Sequence, residues 1–125
     1  MRAEAKPYRP DLFEHFGAVH IRRMFGGRGL FSGEVMIGLV SADDLIFLKT
    51  DEHTRQAYMQ EGSKPYLFHS KRARGAIATS YYEVPERLYD EPEEFAEWVV
   101  KAYAIAERSP AVQRKRTLTK RAAVR

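Results

Sequence analysis

The sequence predicts a single α+β domain in which a five-stranded antiparallel sheet is flanked by about three helices, in the order α-β-β-β-α-β-β-α. Three observations predict this fold. The chain has 125 residues, of which 44% are hydrophobic, which is enough for one core. Five short apolar runs bounded by turn residues have the length and composition of strands. Three further segments repeat apolar residues at the spacing of a helix.

The first half of the chain is predicted to contain one helix and three strands. Residues 11–17 indicate a short helix that Asp11 can cap and Gly17 ends. Three extended runs follow, over residues 19–31, 34–40 and 45–49. The third run, "LIFLK", is apolar on both of its faces, so we expect it to be a central strand.

The second half is predicted to contain two strands between two helices. A helix over residues 51–62 can be capped by Asp51 or Thr50 and ends at Gly62. The strand-like runs "PYLFHS" and "AIATSYYEV" are joined by the basic loop "KRARG". The last helix covers residues 90–109 and has an apolar stripe on one face. The stripe comprises Phe95, Trp98, Val99, Ala102 and Ala106.

The stretch "RRMFGGRGLF", residues 22–31, carries glycines at positions 26, 27 and 29. A phosphate-binding loop needs a helix directly after its glycines, because the free amides of that helix meet the phosphate. Another extended run follows here and there is no P-loop lysine, so we reject the phosphate interpretation. Glycine within a strand pattern is typical of a bulge or of close backbone approach, which predicts that one strand curves over its helix.

The net charge of +4 is unevenly distributed along the chain. After Glu107 there are seven basic residues and no acid, so residues 1–107 carry a net charge of −3. Residues 109–125 are short of large apolar side chains and rich in like charges, which predicts a disordered basic tail. This divides the chain into an N-terminal arm (residues 1–9), a globular domain (residues 10–108) and the tail.

The absence of certain residues and patterns also limits the function. There is no cysteine, which excludes disulfides, thiolate metal sites and a cysteine nucleophile. No apolar run reaches the roughly 20 residues of a membrane span. The N-terminus lacks the apolar segment of a signal peptide. We therefore expect a cytoplasmic protein without membrane contact.

Basic residues in two places are candidates for contacting nucleic acid. They are Arg114, Lys115, Arg116, Lys120 and Arg121 in the tail, and Lys71, Arg72 and Arg74 in the loop before the last strand. Such residues give salt-sensitive binding that is largely independent of base sequence, although a solvated surface also carries charges of this kind. Tyr81 and Tyr82 could stack on bases, but neighbours in a strand point to opposite faces. We therefore expect one of the two tyrosines to pack in the core.

The residues that could carry chemistry do not form a catalytic or metal-binding pattern. The four histidines, His15, His20, His53 and His69, lack ligand spacing such as HExxH. No serine lies in the context of a nucleophile elbow, and the acids at the start of the last helix are explained by the helix dipole. We therefore predict a protein that is not an enzyme and that binds no cofactor or metal.

Several separated motifs follow one another in continuous order between about Leu12 and about Arg108. They are "RRMFGGRGLF", "LIFLK", the aromatic pair in "SYYEVP" and a closing helix with "EEFAEWVVKA". In this combination the sequence resembles the N-terminal domain of the TfoX family, named for regulators of DNA transformation competence. The motif residues, interpreted as structural, are Met24, Phe25, Gly26, Gly27, Gly29, Tyr81, Tyr82, Pro85 and Trp98. The resemblance implies a five-stranded antiparallel sheet flanked by helices and a tendency to pair, so we expect a homodimer.

The sequence departs from the family pattern at three positions and in its domain content. Arg28 stands where an aromatic residue is more typical, and Phe31 and Phe47 replace tyrosines. Competence regulators of this type carry a second, helical domain, and this chain is expected to be a stand-alone form that ends in the basic tail. Two functions stay open. One is a TfoX-like regulator, linked to competence or transcription, that binds a protein partner. The other is a small protein that binds nucleic acid nonspecifically through its tail.

Overall fold

The computed structural model of the protein describes residues 8–24, 27–69 and 75–123, and the described residues form one six-stranded sheet and three α-helices. The strands are β1 (His20–Met24), β2 (Gly27–Ser32), β3 (Val35–Val40), β4 (Ile46–Lys49), β5 (Pro65–His69) and β6 (Ala76–Glu83). The helices are α1 (Arg55–Gln60), α2 (Pro92–Glu107) and α3 (Pro110–Ala123), with short 3-10 helices at Pro10–Phe13 and Glu86–Asp90. The predicted α+β class is confirmed.

The sheet has the strand order β1-β2-β3-β4-β6-β5, and every neighbouring pair is antiparallel. β4 lies between β3 and β6, and its residues Ile46, Phe47 and Leu48 are all buried. Since successive side chains of a strand point to opposite faces, β4 is covered on both sides. The prediction that this strand is central is confirmed.

The extended run at residues 19–31 forms two strands, so the prediction of a single curved strand is wrong and the sheet has six strands instead of five. β1 and β2 pair antiparallel, with Met24 opposite Gly27. Glycine adopts the backbone conformations of a tight reversal without steric cost, which a local apolar pattern does not reveal. The glycine-rich stretch therefore marks a hairpin.

β3 approaches β4 closely at Gly38. A Cβ atom built on Gly38 would lie 2.2 Å from the backbone oxygen of Phe47, which is closer than any non-bonded contact allows. Gly38 also pairs with Leu30 on β2. Directly after Leu30, the register between β2 and β3 shifts, as at a β-bulge. The sequence predicts a bulge or a close approach at Gly26, Gly27 or Gly29, whereas the close approach described here is at Gly38 on the neighbouring strand.

α2 packs across β3 and β4, and this contact forms the core. The buried residues of α2 are Phe95, Ala96, Val99, Ala102 and Ala106. The Phe95 ring meets Phe13 edge-on at 5.2 Å and Tyr89 at 6.0 Å, and Trp98 is half-buried beside them. The predicted apolar stripe of the last helix is therefore confirmed. We call this side of the sheet, with Leu30, Val35, Ile37, Ile46 and Leu48 in the core, the helix-packed face.

The first two predicted helices are shorter than expected. The first is a 3-10 helix at Pro10–Phe13, and α1 covers six residues. Short helices gain few hydrogen bonds for the dihedral angles they fix, so they form only where the surroundings hold them. Gly17 (φ +139°) and Gly62 (φ +81°) end these segments as predicted. The carboxylate of Asp51 accepts a hydrogen bond from the backbone N–H of Thr54 at 2.8 Å, just before α1.

Pro110–Ala123 form α3, so the prediction of a disordered tail is wrong for these residues. Val112 is buried against the core. The Arg116 guanidinium donates to Glu34 at 2.7 Å and to Glu107 at 3.0 Å. One apolar anchor and two carboxylates of the folded body offset the repulsion among the cations of this segment. Because those partners lie outside the segment, its own composition does not predict the helix.

Candidate functional site

The side of the sheet opposite the helix-packed face carries an apolar groove of about 370 Å³. Its lining includes Met36, Leu39, Tyr66, Phe68 and Tyr81, from β3, β5 and β6. Leu48, paired with Gly38, lies in the core. The neighbouring pair, Leu39 with Phe47, therefore lies on the opposite side of the sheet. We call this side of the sheet the grooved face.

Gly27 and Gly29 form part of the groove lining on β2. Gly29 is paired with Leu39 on β3, and directly opposed residues of neighbouring strands lie on the same face. A side chain at position 29 would therefore project into the groove beside Leu39. Because β2 continues into β3 and not into a helix, the glycines shape a hairpin and a groove and do not present helical amides to a phosphate.

Tyr81 and Tyr82 lie on opposite faces, as predicted. Tyr82 packs against the core with its ring 6.1 Å from Tyr58. Tyr81 lines the groove, and the Lys49 ammonium lies 5.0 Å from its ring centroid. Burial raises the pKa of the Tyr81 phenol. One aromatic ring with an adjacent cation is therefore available on the grooved face.

The three positions that depart from the family pattern each have a defined contact. The Arg28 guanidinium lies 2.7 Å from the Asp44 carboxylate and also donates to the Ser41 carbonyl. Asp44 has a φ of +65°, so this ion pair holds a strained turn before β4. Phe31 stacks with His20 at 5.7 Å, and Phe47 meets Tyr66 edge-on at 5.2 Å. Both phenylalanines thus contribute apolar surface to the grooved face.

The sheet ends at β5 in a strongly apolar edge. Leu67 and Phe68 on β5 are each 48% exposed, and Ile77 on β6 is 46% exposed. Phe68 pairs with Ile77 and also lines the groove, so the groove continues to the edge of the sheet. We call Leu67, Phe68 and Ile77 the apolar edge.

The basic residues predicted to contact nucleic acid are placed in different environments. Arg114, Lys115 and Lys120 are exposed on α3, and Arg121 belongs to the same helix. Arg116 is engaged by Glu34 and Glu107, whose hydrogen bonds raise its pKa further above the usual value. Lys71, Arg72 and Arg74 lie outside the described residues. Four of the eight predicted cations therefore lie on α3, and a fifth on the same helix is paired with acids.

The motif residues not yet placed are found in the hairpin and in the core. Met24 ends β1, and Phe25 and Gly26 lie outside the described residues. Pro85 is buried where the second 3-10 helix begins. Trp98 meets Tyr58 edge-on at 4.6 Å. These contacts agree with a structural interpretation of Pro85 and Trp98.

The described residues contain neither a cluster of metal-ligating side chains nor a membrane-spanning helix. Over residues 8–24, 27–69 and 75–123, no three histidine, aspartate or glutamate side chains come together as metal ligands would. In the same part of the chain, no helix is long and apolar enough to cross a bilayer.

The sequence pattern did not single out the groove residues, although a signal for them is present. The runs at residues 34–40 and 45–49 are apolar at consecutive positions, so both faces of these strands carry apolar side chains. For residues 45–49 the pattern predicts a central strand that is covered on both faces. Which face remains open depends on where α2 packs, and this is a tertiary property.

The family comparison agrees with this architecture. The chain matches the TfoX N-terminal domain over residues 11–106, which is more than three quarters of its length. No curated protein matches the chain.

Proposed function

Since the chain belongs to the TfoX N-terminal domain family, a family associated with the regulation of competence, we propose that it is a non-enzymatic regulatory protein. It acts in the cytoplasm by binding a protein partner, in the control of competence or of transcription. The observation that carries this proposal is the apolar edge beside the groove. Large exposed apolar patches on a folded domain are typical of interaction surfaces.

The apolar edge offers backbone groups as well as side chains. β5 is the last strand of the sheet, so one side of its backbone pairs with β6 and the other side faces outward. Outward-facing N–H and C=O groups of an edge strand can pair with a strand of another chain. Leu67 and Phe68 alternate along β5 and would contact the partner on both faces of the extended sheet.

The partner we propose is a second copy of the same chain. A twofold axis beside β5 would place the β5 strands of two copies antiparallel, which is the pairing found throughout this sheet. Such a dimer would join two six-stranded sheets and cover Phe68 of both copies. It would also leave the two grooves on the same side of the combined sheet.

The placement of the histidines supports a non-enzymatic role. His15, His20, His53 and His69 are exposed; His20 lies on β1 and His69 on β5, and the other two lie in separate turns. His20 stacks on Phe31, which is a packing contact. A general base needs an oriented partner and a reacting group nearby, and these four positions do not converge on one cleft.

Sedimentation velocity over a concentration series tests the proposed dimer. We compare the wild type with Phe68→Glu, and use Met59→Glu as the matched control, because Met59 is a similarly exposed apolar residue on α1 (59%). We expect a wild-type dimer, a monomeric Phe68→Glu protein with an unchanged circular dichroism spectrum, and a dimeric Met59→Glu protein. A wild type that stays monomeric, or a Phe68→Glu dimer of unchanged strength, would overturn pairing through the apolar edge.

Nonspecific nucleic-acid binding through α3 is the second candidate. The observation that favours it is that Arg114, Lys115 and Lys120 are exposed on an ordered helix that contains no acid. A helix holds these cations at fixed spacing, so several can approach phosphates together. α2 carries acids in its first turn and lacks a basic recognition face, so no base-specific contact is expected from it.

Fluorescence anisotropy with labelled duplex and single-stranded DNA tests this second candidate. We compare the full chain with the triple variant Arg114→Gln, Lys115→Gln, Lys120→Gln across a salt series. Each lost phosphate contact should lower the salt dependence of log K by about one unit. Equal weakening on all base sequences supports the candidate. Absence of binding at low salt, or a changed sequence preference, contradicts it.

A further inference from the structure

A cavity of about 410 Å³ lies where α1, the second half of α2 and the end of β4 meet. It is separate from the groove and the apolar edge. Alanines on both helices leave the space: Ala57 on α1, and Ala102 and Ala104 on α2. Cavities of roughly 300 to 1,000 Å³ are the usual size of small-molecule sites in proteins.

One wall of the cavity is aromatic. Tyr58 and Trp98 line it, with their rings edge-to-face at 4.6 Å. Ile105 continues this wall along α2. Tyr58 is 3% exposed and belongs to the core, whereas Trp98 is half-buried against it. A flat apolar group could lie against this wall without rearrangement of the core.

The rest of the lining is dominated by cations. Lys49, Lys101 and Arg108 line the cavity together with His53, and Asp51 is the carboxylate among its lining residues. The Asp51 carboxylate is held by Thr54 and lies 3.9 Å from the Arg108 guanidinium. Three basic side chains against one carboxylate leave this cavity positive, although residues 1–107 as a whole carry a charge of −3.

Two of these cations are not neutralised by the protein. Among the described ion pairs, none involves Lys49 or Lys101. Lys49 donates to the Ser80 hydroxyl at 2.7 Å instead. Burial, and after it the nearby Arg55 guanidinium, lowers the pKa of Lys49. An anion in the cavity would offset both the loss of solvation and the repulsion from Arg55.

We propose that this cavity binds a small organic anion that carries a flat aromatic ring. The ring lies against Tyr58 and Trp98. The charged group faces Lys101, three residues along the same helix from Trp98, with Lys49 and Arg108 lining the far end. This inference goes beyond the proposed function and does not depend on pairing at the apolar edge.

Trp98 makes the test direct, since it is the one tryptophan of the chain and lines the cavity. Its indole N–H gives a single cross-peak in the nitrogen–proton NMR spectrum of the full-length protein. The probe is 1-naphthyl phosphate, which has both a ring and a charge. Inorganic phosphate carries the charge without the ring, and 1-naphthol carries the ring without the charge. 1-Naphthoate tests whether a carboxylate can replace the phosphate group.

We expect a saturable shift of the Trp98 cross-peak with 1-naphthyl phosphate, and weaker binding of both half-ligands. Lys101→Gln and Arg108→Gln should each weaken binding by about tenfold, as loss of a charged hydrogen bond does. Arg108→Lys should retain most of the affinity. Arg114→Gln removes an exposed charge outside the cavity and should have no effect.

Several outcomes would overturn the proposal. One is a cross-peak that does not move up to about 10 mM probe, which is weaker than the affinity of a specific small-molecule site. Another is equal binding of 1-naphthol, because the cations would then play no part. A third is equal weakening by Arg114→Gln and Lys101→Gln, which would indicate general attraction to a basic protein. None of these outcomes bears on dimer formation, which sedimentation measures.

Discussion

The two faces of the sheet are built from the same strands and similar residues, but they differ in what covers them. On the helix-packed face, Leu30, Ile37, Ile46 and Leu48 are each 0% exposed. On the grooved face, Leu39 is partly accessible and Phe68 is 48% exposed. Apolar content therefore does not distinguish the two faces. The difference lies in α2, which makes one face a stabilising core and leaves the other available for binding.

Leucine truncation on each face gives the largest expected difference. Leu48→Ala should lower the free energy of unfolding by about 3 kcal/mol, because it leaves a cavity in the core. Leu39→Ala, on the neighbouring strand but in the groove, should cost about 1 kcal/mol. Urea unfolding of both variants and the wild type at one fixed protein concentration measures both values. Equal costs would show that the grooved face is packed as tightly as the helix-packed face.

Substitution of Gly38 tests how tightly β3 and β4 meet. Gly38→Ala should cost about 2 kcal/mol, because the added Cβ overlaps the Phe47 carbonyl and the strands must separate. Gly33→Ala is the control, since its Cβ meets nothing within 4 Å and only its φ of +60° is unfavourable. We expect about 1 kcal/mol for this control. Thermal unfolding compares the two, and a Gly38→Ala protein as stable as the wild type would contradict the observed approach.

α3 lies at one end of the grooved face, where Val112 shares a depression with Phe31 and Met36. Val112→Asp should detach this helix, because a carboxylate is poorly tolerated against the core. The far-ultraviolet circular dichroism should lose the signal of about 14 helical residues, while the main unfolding transition shifts little. Leu118→Asp is the matched control, because Leu118 is an apolar residue of the same helix that is 63% exposed. Unchanged ellipticity in Val112→Asp would show that α3 does not depend on this anchor.

A network around Arg87 joins the elements that cover the helix-packed face, and it has the smallest expected effect. The guanidinium pairs with Glu61 at 2.7 Å, and with Glu91 and Glu94 at 2.9 Å each. Hydrogen bonds from Arg87 lower the pKa of Glu94. The contribution of Glu94 to the stability of the fold is therefore present above the unfolded glutamate pKa of about 4.3. It is lost as the pH falls through the lower pKa that Glu94 has in the folded protein.

Arg87→Gln should consequently lower the melting temperature slightly at neutral pH and have less effect in acid. Melting curves of the wild type and the variant between about pH 7 and about pH 3 measure the difference. Salt should reduce it as well, because these side chains are exposed. A difference that stays constant with pH would assign the effect of Arg87 to packing and not to its carboxylate partners.

The elements predicted correctly are those whose signals are local. The stripe from Phe95 to Ala106 repeats over a helix of 16 residues, which is long enough to be read without its partners. The consecutive apolar residues of "LIFLK" indicated a strand buried on both faces, and β4 is central. The end points at Gly17 and Gly62 followed from the backbone freedom of glycine.

The errors concern contacts between distant residues. The division of residues 19–31 into β1 and β2 depends on Met24 pairing with Gly27 and not on composition. Arg116 on α3 pairs with Glu34, which lies 82 positions away in the sequence. Three cations that are distant in the sequence line the same cavity. Lys49 lies on β4, Lys101 lies on α2, and Arg108 follows the end of α2. No spacing rule relates residues so far apart.

The sequence by itself determined the α+β class, the last helix and the opposite placement of Tyr81 and Tyr82, because these depend on periodicity and on the steric properties of single residues. The family followed from the resemblance of its separated motifs. Only the tertiary structure decided which face of the sheet α2 covers, where the apolar edge ends and which cations meet around Trp98. The physical reason is that burial and electrostatic attraction act between groups that are close in space, whatever their separation along the chain.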